Sequence, residues 1–243
     1  MSKWKEAVVK RIEQRSPTVR SFWVALPDRD KLEFRPGQFL TLDLPISERR
    51  RERWRSYSIA SAPDETNEAE LCVVHLPGGK GSTYLFEETE VGTELLTKEP
   101  GGVFTLPERP LDYDVVMVCT GTGIAPFRSM LRQRLGHETV RFHLIFGCRR
   151  PEDLLYREEL EALAEEFPNF TYTATLSREL PTEETTFEAM KGYVHQVYER
   201  DYPTPRPDLR FYLCGWSQMV DEARERLLKL GYAEEQVILE LYG

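Results

Sequence analysis

One segment decides how the second half of this chain is interpreted: Val115-Val116-Met117-Val118-Cys119-Thr120-Gly121-Thr122-Gly123-Ile124-Ala125-Pro126. Its apolar beginning is typical of a buried parallel strand, and its two glycines allow a tight turn and the close approach of a phosphate. Pro126 suits the first turn of a helix, whose N–H groups and dipole would face the turn. The sixth position of a G-x-G-x-x-G motif is proline here, so an ordinary strand-to-helix turn is the alternative.

Strands alternate with helix-length segments from this point onward. The predicted strands are 113–119, 140–146, 170–176, 210–214 and 236–241, and the predicted helices are 125–135, 154–167, 187–198 and 219–230. Repeated βα units of this length predict a parallel sheet with helices on both faces.

The first hundred residues instead show short apolar runs separated by proline, glycine and polar residues. The predicted strands are 7–9, 22–26, 54–61 and 71–75. Residues 34–42 are predicted as a turn that leads into another strand, and residues 92–96 resemble the entry to one more. This spacing predicts a small antiparallel β-barrel. The proline-bearing stretch 106–110 marks the boundary, so the chain is divided into domains 1–107 and 108–243.

A strand within the first domain, Arg55-Ser56-Tyr57-Ser58-Ile59-Ala60-Ser61, has a side-chain order that suits a flat, partly anionic cofactor. Arg55 can contact a pyrophosphate with two hydrogen bonds. The Tyr57 ring can lie against a conjugated ring system, and the Ser58 hydroxyl can reach a ring nitrogen. An ordinary half-buried strand is the alternative.

A second glycine-rich turn follows the predicted strand 71–75. His75-Leu76-Pro77-Gly78-Gly79-Lys80-Gly81-Ser82-Thr83 leads into a short helical pattern. Gly81, Ser82 and Thr83 are candidate backbone N–H and hydroxyl donors to a second pyrophosphate, although a flexible hairpin loop would have a similar composition.

The charge, the cysteines and the absence of long apolar segments argue against several classes of protein. The 243 residues are 40% hydrophobic and 30% charged, with a net charge of −9, which predicts a globular chain without a general role in nucleic-acid binding or attraction to an acidic membrane surface. The four cysteines form no C-x-x-C pair, which argues for reduced thiols and against a plant-type iron–sulfur cluster or another metal site. No window resembles a signal peptide or a membrane helix, so a cytoplasmic location is expected.

Three motifs in fixed order resemble those of the ferredoxin–NADP reductase superfamily: Arg55-Ser56-Tyr57-Ser58, Gly121-Thr122-Gly123-Ile124-Ala125-Pro126 and Tyr212-Leu213-Cys214-Gly215. The resemblance covers essentially the whole chain. It implies an FAD-binding barrel and an NAD(P)-binding α/β domain, with hydride transfer between nicotinamide and flavin.

The resemblance also assigns roles to individual residues. It implies that FAD contacts Arg55, Tyr57, Ser58, Gly81, Ser82 and Thr83, and that the nicotinamide dinucleotide contacts Thr120, Gly121, Thr122, Gly123, Pro126 and Gly215. Ser58, Cys214 and Glu240 are the implied catalytic residues. Tyr242 matches the aromatic residue that stacks on the flavin, but Gly243 follows it where the family sequence ends.

The resemblance favours NADP(H) over NAD(H), with Ser177, Arg178, Lys191 and Tyr193 as candidate contacts. NAD-linked relatives can carry a similar Ser-Arg pair, so NAD(H) stays open.

An arginine cluster precedes the flavin strand. Arg49, Arg50, Arg51 and Arg53 form a basic patch in an acidic chain, which predicts an acidic ferredoxin or flavodoxin as partner. A solvated loop without a function is the alternative interpretation of the cluster. The alternatives are a reductase that serves free flavin or an oxygenase component, and a non-catalytic electron-transfer subunit.

Overall fold

A computed structural model describes residues 4–242, which form two compact units. Unit 1 contains the described residues up to Leu106 together with Ala125–Gln133, and unit 2 contains Pro107–Ile124 and the described residues from Arg134 onward. Residues 1–3, part of the segment expected to lack a signal-peptide pattern, and Gly243, which departs from the family ending, lie outside the described residues. The division at residue 107 stays a prediction.

Unit 1 is built on a six-stranded antiparallel sheet. Its strands are β1 (Lys5–Ser16), β2 (Val19–Ala25), β3 (Phe39–Asp43), β4 (Trp54–Ser58), β5 (Glu68–Val74) and β6 (Glu94–Thr97), in the order β4-β3-β6-β1-β2-β5. A bridge between Ile59 and Leu71 joins the segments of the two outer strands, so the sheet curves round into a barrel, as predicted.

The longest strand explains how this sheet can curve. Strand β1 has twelve residues, whereas the sequence predicts only 7–9. Its pairing with β2 shifts register after Val9 and again after Gln14. Such bulges increase the local bend and twist of a strand, so one strand can serve two neighbours around the barrel. Buried aliphatic side chains such as Val9, Val24 and Leu40 fill the interior.

One helix of unit 1 follows strand β5. Helix α1 (Lys80–Glu87) begins after Gly79 and buries Leu85 against the barrel core. It confirms the short helical pattern after the glycine-rich turn and places that turn at a helix N-terminus.

Unit 2 is built on a parallel sheet of six strands. The strands are β7 (Asp114–Thr120), β8 (Phe142–Cys148), β9 (Phe170–Leu176), β10 (Glu188–Lys191), β11 (Leu209–Trp216) and β12 (Val237–Tyr242), in the order β10-β9-β8-β7-β11-β12. The helices of unit 2 are α3 (Arg157–Glu166), α4 (Val194–Asp201) and α5 (Ser217–Lys229). Helix α2 (Ile124–Arg134) follows β7 in the chain, but its residues Ala125–Gln133 belong to unit 1. Strand β7 lies near the centre, so its carboxyl end meets those of β8 and β11.

The predicted helix 187–198 is wrong in its first half. Residues Glu188–Lys191 form the edge strand β10, parallel to β9, and the helix begins only at Val194. Glu, Ala, Met and Lys favour helix locally, but pairing with β9 overrides that preference. Gly192, with φ of +133°, separates the strand from the helix.

No helix among the described residues is both long and apolar enough to cross a lipid bilayer.

Candidate functional site

Strand β4 holds the first group of predicted cofactor residues. Tyr57 is paired with Leu40 and Ser58 with Phe39 of strand β3. The Tyr57 ring is half-buried against the barrel core, and this burial raises the pKa of its phenol to about 12, so the side chain is neutral at physiological pH. Ser58 is buried at the end of the strand. The barrel therefore fixes both side chains through backbone pairing.

Arg55 lies against the start of helix α1. A Cβ at Gly81 would be 2.9 Å from Cγ and 3.0 Å from Nε of Arg55, so this close approach requires glycine. Arg55 Nη1 donates to the carbonyl oxygens of Glu52 and Trp54 at 2.9 and 2.7 Å, which holds the guanidinium in place. A fixed guanidinium beside a helix N-terminus is suited to a pyrophosphate, so these residues fit FAD.

Some of the predicted donors of the glycine-rich turn form hydrogen bonds within the turn itself. The Ser82 hydroxyl accepts a hydrogen bond from the Leu76 N–H at 3.0 Å and lies 3.0 Å from the Gly79 carbonyl oxygen. The Thr83 N–H donates to the same Gly79 carbonyl at 2.9 Å. The candidates for contact with a ligand, among the residues that the structure describes, are the Thr83 hydroxyl and the N–H groups of Gly81 and Ser82, which lie in the first turn of α1, where N–H groups have no acceptor within the helix.

The dinucleotide turn of unit 2 packs directly on strand β11. Residues Gly121–Gly123 form a single 3₁₀ turn between β7 and α2. A Cβ at Gly123 would lie 2.4 Å from the carbonyl oxygen of Cys214 and 2.8 Å from the Cα of Gly215. Gly121 has φ of +53° and open space where its Cβ would be. One glycine thus lets the turn contact β11, and the other leaves room for a ligand.

Thr120 carries a buried hydroxyl without a hydrogen-bond partner in the described part of the chain. A Cβ at Gly215 would lie 2.6 Å from that hydroxyl oxygen, so the threonine stands where the ends of β7 and β11 meet. An unpaired buried hydroxyl costs about 1–3 kcal/mol, and a bound ligand can satisfy it. Thr122 is half-buried in the turn, and Pro126 lies buried in the first turn of α2. These residues fit a dinucleotide.

Cys214 is paired with Glu240, and Trp216 with Tyr242, on the parallel strands β11 and β12. The Cys214 thiol is fully buried, and its pKa is raised well above the usual range, first by burial and then by the nearby Glu240 carboxylate. A hydrogen bond with Tyr242 opposes this shift. The thiol therefore stays protonated and uncharged, which suits packing against a ring and argues against nucleophilic chemistry.

The predicted NADP contacts lie at the ends of neighbouring strands or on the loops that follow them. Ser177 and Arg178 follow β9, Lys191 ends β10, and Tyr193 precedes α4. The Lys191 ammonium donates to the Arg178 carbonyl oxygen. Tyr193 is 63% exposed and stacks on His195 with ring centroids 5.9 Å apart. The four residues thus gather at the carboxyl edge of the sheet, where open α/β sheets bind ligands.

Sequence reasoning missed Arg149 and Arg150, which follow β8 at the same edge. The Arg178 N–H donates to the Arg149 carbonyl oxygen at 2.9 Å, so the loops after β8 and β9 are joined. Arg149 and Arg178 are exposed, and neither forms an ion pair within residues 4–242. Their position immediately after an apolar strand was the signal available in the sequence.

The arginine cluster before β4 is not uniformly available to a partner. Arg53 Nε lies 2.7 Å from the buried Asp43 carboxylate, so Arg53 contributes to the barrel itself. Arg49 is exposed and lies 3.2 Å from the Glu52 carboxylate. Arg50 and Arg51 are exposed and form no ion pair among the described residues. Those two are the best candidates for contact with an acidic partner.

Comparison with known protein families divides the chain into two matched regions. Residues 6–106 match the family model described as an oxidoreductase FAD-binding domain. Residues 117–225 match the model described as an oxidoreductase NAD-binding domain.

Two curated relatives illustrate the range of similar proteins. The chain is 36% identical over 241 residues to ferredoxin–NADP reductase B of Sorangium cellulosum, covering 98% of this chain and 97% of that protein. It is 30% identical over 237 residues to the ferredoxin reductase component of 3-ketosteroid-9-alpha-monooxygenase of Rhodococcus rhodochrous. That alignment covers 97% of this chain but only 64% of the relative's length.

A solved structure supports the same relationship. A ferredoxin NADP+ reductase from Neisseria gonorrhoeae, crystallised with FAD and NADP, superimposes with a TM-score of 0.80 at 27% identity. The match covers 99% of both chains.

The two glycines of the dinucleotide turn give a prediction with an internal control. Gly123→Ala should lower stability by about 2 kcal/mol or more, because its Cβ would collide with backbone atoms, and should weaken nucleotide binding. Gly121→Ala should cost only about 1 kcal/mol, the cost of a left-handed conformation. Thermal unfolding and NADPH titration of both variants check this. Equal destabilisation by the two substitutions would contradict the packing of Gly123 on β11.

Proposed function

Because this chain belongs to the ferredoxin–NADP reductase superfamily, we propose that it is an FAD-dependent oxidoreductase that exchanges electrons between NADP(H) and a ferredoxin or flavodoxin. The observation that supports this most is the guanidinium of Arg55 held beside the N-terminus of α1, where a Cβ at Gly81 would collide with it. The unpaired Thr120 hydroxyl beside the open space at Gly121 supports the dinucleotide half of the proposal.

Bound FAD would supply the conversion between two-electron exchange with nicotinamide and one-electron exchange with a protein partner. The chain supplies binding and orientation. Arg55, with the N–H groups of Gly81 and Ser82 and the Thr83 hydroxyl, holds the pyrophosphate. Tyr57 supports the flavin ring.

Ser58 is the residue assigned to the flavin ring nitrogen. Ser58→Ala removes a hydroxyl from a side chain that is fixed by strand pairing, so it should slow flavin reduction by NADPH about tenfold or more and leave FAD bound. Anaerobic rapid mixing with NADPH measures the rate. The exposed Ser56 on the same strand provides the control variant, Ser56→Ala. An unchanged reduction rate in Ser58→Ala would refute the role.

Cys214, Glu240 and Tyr242 are assigned to the nicotinamide side. The uncharged Cys214 thiol would pack on the nicotinamide ring. Tyr242 is hydrogen-bonded to that thiol. Glu240 is assigned to proton movement or to steering the nicotinamide. The stacking of Tyr242 on the flavin stays a prediction.

NADP(H) is the proposed coenzyme. Its 2′-phosphate needs cationic donors, and Arg178, Lys191 and Arg149 gather on the joined loops after β8, β9 and β10. Ser177 and Tyr193 complete the proposed contact set.

Arg178→Ala should therefore raise the KM for NADPH about tenfold or more and leave the KM for NADH within about twofold, because only NADPH carries the 2′-phosphate. Steady-state kinetics with both coenzymes measures the difference. Arg224→Ala, which removes an arginine from α5 paired with Glu234, is the control. A parallel rise in both KM values, or a higher kcat/KM of the unmodified protein with NADH, would overturn the preference.

An acidic ferredoxin or flavodoxin is the proposed partner, bound through Arg49, Arg50 and Arg51. Arg53 is assigned a minor role because Asp43 already compensates its charge.

If this docking is correct, the rate of ferredoxin reduction by the unmodified protein should fall steeply with added salt. Arg50→Gln/Arg51→Gln should lower that rate at low salt and flatten the salt dependence. Lys10→Gln/Lys229→Gln removes two exposed charges elsewhere and is the control. A flat salt profile of the unmodified protein would contradict the docking proposal.

The similarity to an oxygenase-linked reductase favours one alternative, a chain that serves an oxygenase component. Ferredoxin reduction at a rate no higher than that of a small dye acceptor would support this alternative.

A further inference from the structure

A buried ion pair lies within unit 1. Arg128 Nη1 is 2.7 Å from Glu70 Oε2, and the two side chains are only 7% and 2% exposed. The other carboxylate oxygen accepts hydrogen bonds from the Ser21 hydroxyl at 2.6 Å and from Arg15 Nη2 at 3.2 Å. The Glu70 carboxylate is therefore fully engaged by donors.

The same guanidinium nitrogen also holds the backbone of the segment that follows β4. Arg128 Nη1 donates to the Ala60 carbonyl oxygen at 2.8 Å, and the next residue, Ser129, donates its hydroxyl to the Ser61 carbonyl oxygen at 2.6 Å. Both donors belong to Ala125–Gln133, which is part of unit 1. Two neighbouring residues of α2 therefore hydrogen-bond the consecutive carbonyl groups of Ala60 and Ser61.

Glu70, on strand β5, also forms hydrogen bonds with Ala60 and Ser61. The Ala60 N–H donates to the Glu70 carbonyl oxygen at 2.8 Å, and the Glu70 N–H donates to the Ser61 hydroxyl at 3.1 Å. Ala60 and Ser61 are thus held by β5 and by the helix together. They come two and three residues after Ser58, so their position limits where Ser58 can lie.

Stability alone does not account for this arrangement. A buried ion pair is usually no more stabilising than a well-packed apolar pair of similar volume. The apolar pair would, however, leave the Ala60 carbonyl without its Arg128 donor. The feature that requires arginine is the double contact of one nitrogen with the carboxylate and with the strand backbone.

We propose that Arg128 is a positioning residue for the flavin-binding strand, with Ser129 in a supporting role. Glu70 holds Arg128, and Arg128 holds the end of the segment that presents Tyr57 and Ser58 to the flavin. This inference rests on the proposed function, because it assumes that β4 binds FAD.

The test compares two arginines of the same helix. Arg128→Met removes the contacts just described. Arg134→Met is the matched control, because Arg134 is also largely buried, pairs with Glu138 and donates to the carbonyl oxygens of Pro107 and Arg109. Within residues 4–242 it forms no hydrogen bond or ion pair with the flavin strand. We expect Arg128→Met to raise the Kd for FAD about tenfold or more and to shift the absorption spectrum and midpoint potential of bound flavin. In Arg134→Met we expect a comparable loss of thermal stability with the Kd for FAD within about twofold.

Two further variants keep the proposal testable if Arg128→Met folds poorly. Glu70→Leu/Arg128→Met leaves neither charge of the ion pair buried without its partner, so part of the thermal stability lost in Arg128→Met should return, although Ser21 and Arg15 lose their bonds to Glu70. The weakened FAD binding and the altered spectrum should persist. Ser129→Ala removes one hydroxyl and should give a smaller spectral shift in the same direction as Arg128→Met.

Recovery of FAD affinity and spectrum together with stability in the double variant would overturn the positioning role. Equal effects of Arg128→Met and Arg134→Met on FAD would do the same. Failure of the unmodified chain to bind FAD would instead refute the proposed function, so the two failures are distinguishable.

Discussion

The closure of the barrel at the end of strand β4 is the constraint on which the flavin half of this protein depends. Strand β4 is one of the two outer strands of the sheet and pairs with β3 only as far as Ser58. The chain then turns to β5 through the bridge between Ile59 and Leu71. Because the residues before and after this point pair with different strands, the closure fixes which face Tyr57 and Ser58 present.

Unit 2 depends on a comparable contact between backbones. The turn after β7 can lie against the end of β11 only because Gly123 lacks a Cβ. That contact places Thr120, Cys214 and Gly215 together at the carboxyl edge of a parallel sheet, the edge at which such sheets bind ligands. The neutral thiol and the unpaired hydroxyl are consequences of this packing.

The sequence predicted those elements of the fold and of the candidate site that depend on residues close together in the chain. Apolar runs located the strands, and glycines followed by helix-forming residues located the turns at Gly81 and Gly121. The family motifs then indicated which side chains form the candidate site. The edge strand Glu188–Lys191 was missed because its residues favour helix and only the neighbouring β9 makes them a strand.

Contacts between residues far apart in the chain could not be predicted in this way. Arg53 belongs to a conspicuous arginine cluster, but its partner is the buried Asp43 on another strand. Glu70 and Arg128 are 58 residues apart, and neither has a neighbouring pattern that signals the pair. Such contacts depend on how the barrel closes, which no local window of sequence encodes.

The most direct test of the account is an anaerobic titration of the purified, flavin-loaded chain with NADPH, followed by its visible absorption. We expect a bound-flavin spectrum that is bleached by about one equivalent of NADPH, because one hydride carries the two electrons that one flavin accepts. A purified chain that holds no flavin when FAD is supplied, or a bound flavin that NADPH leaves unbleached, would contradict it.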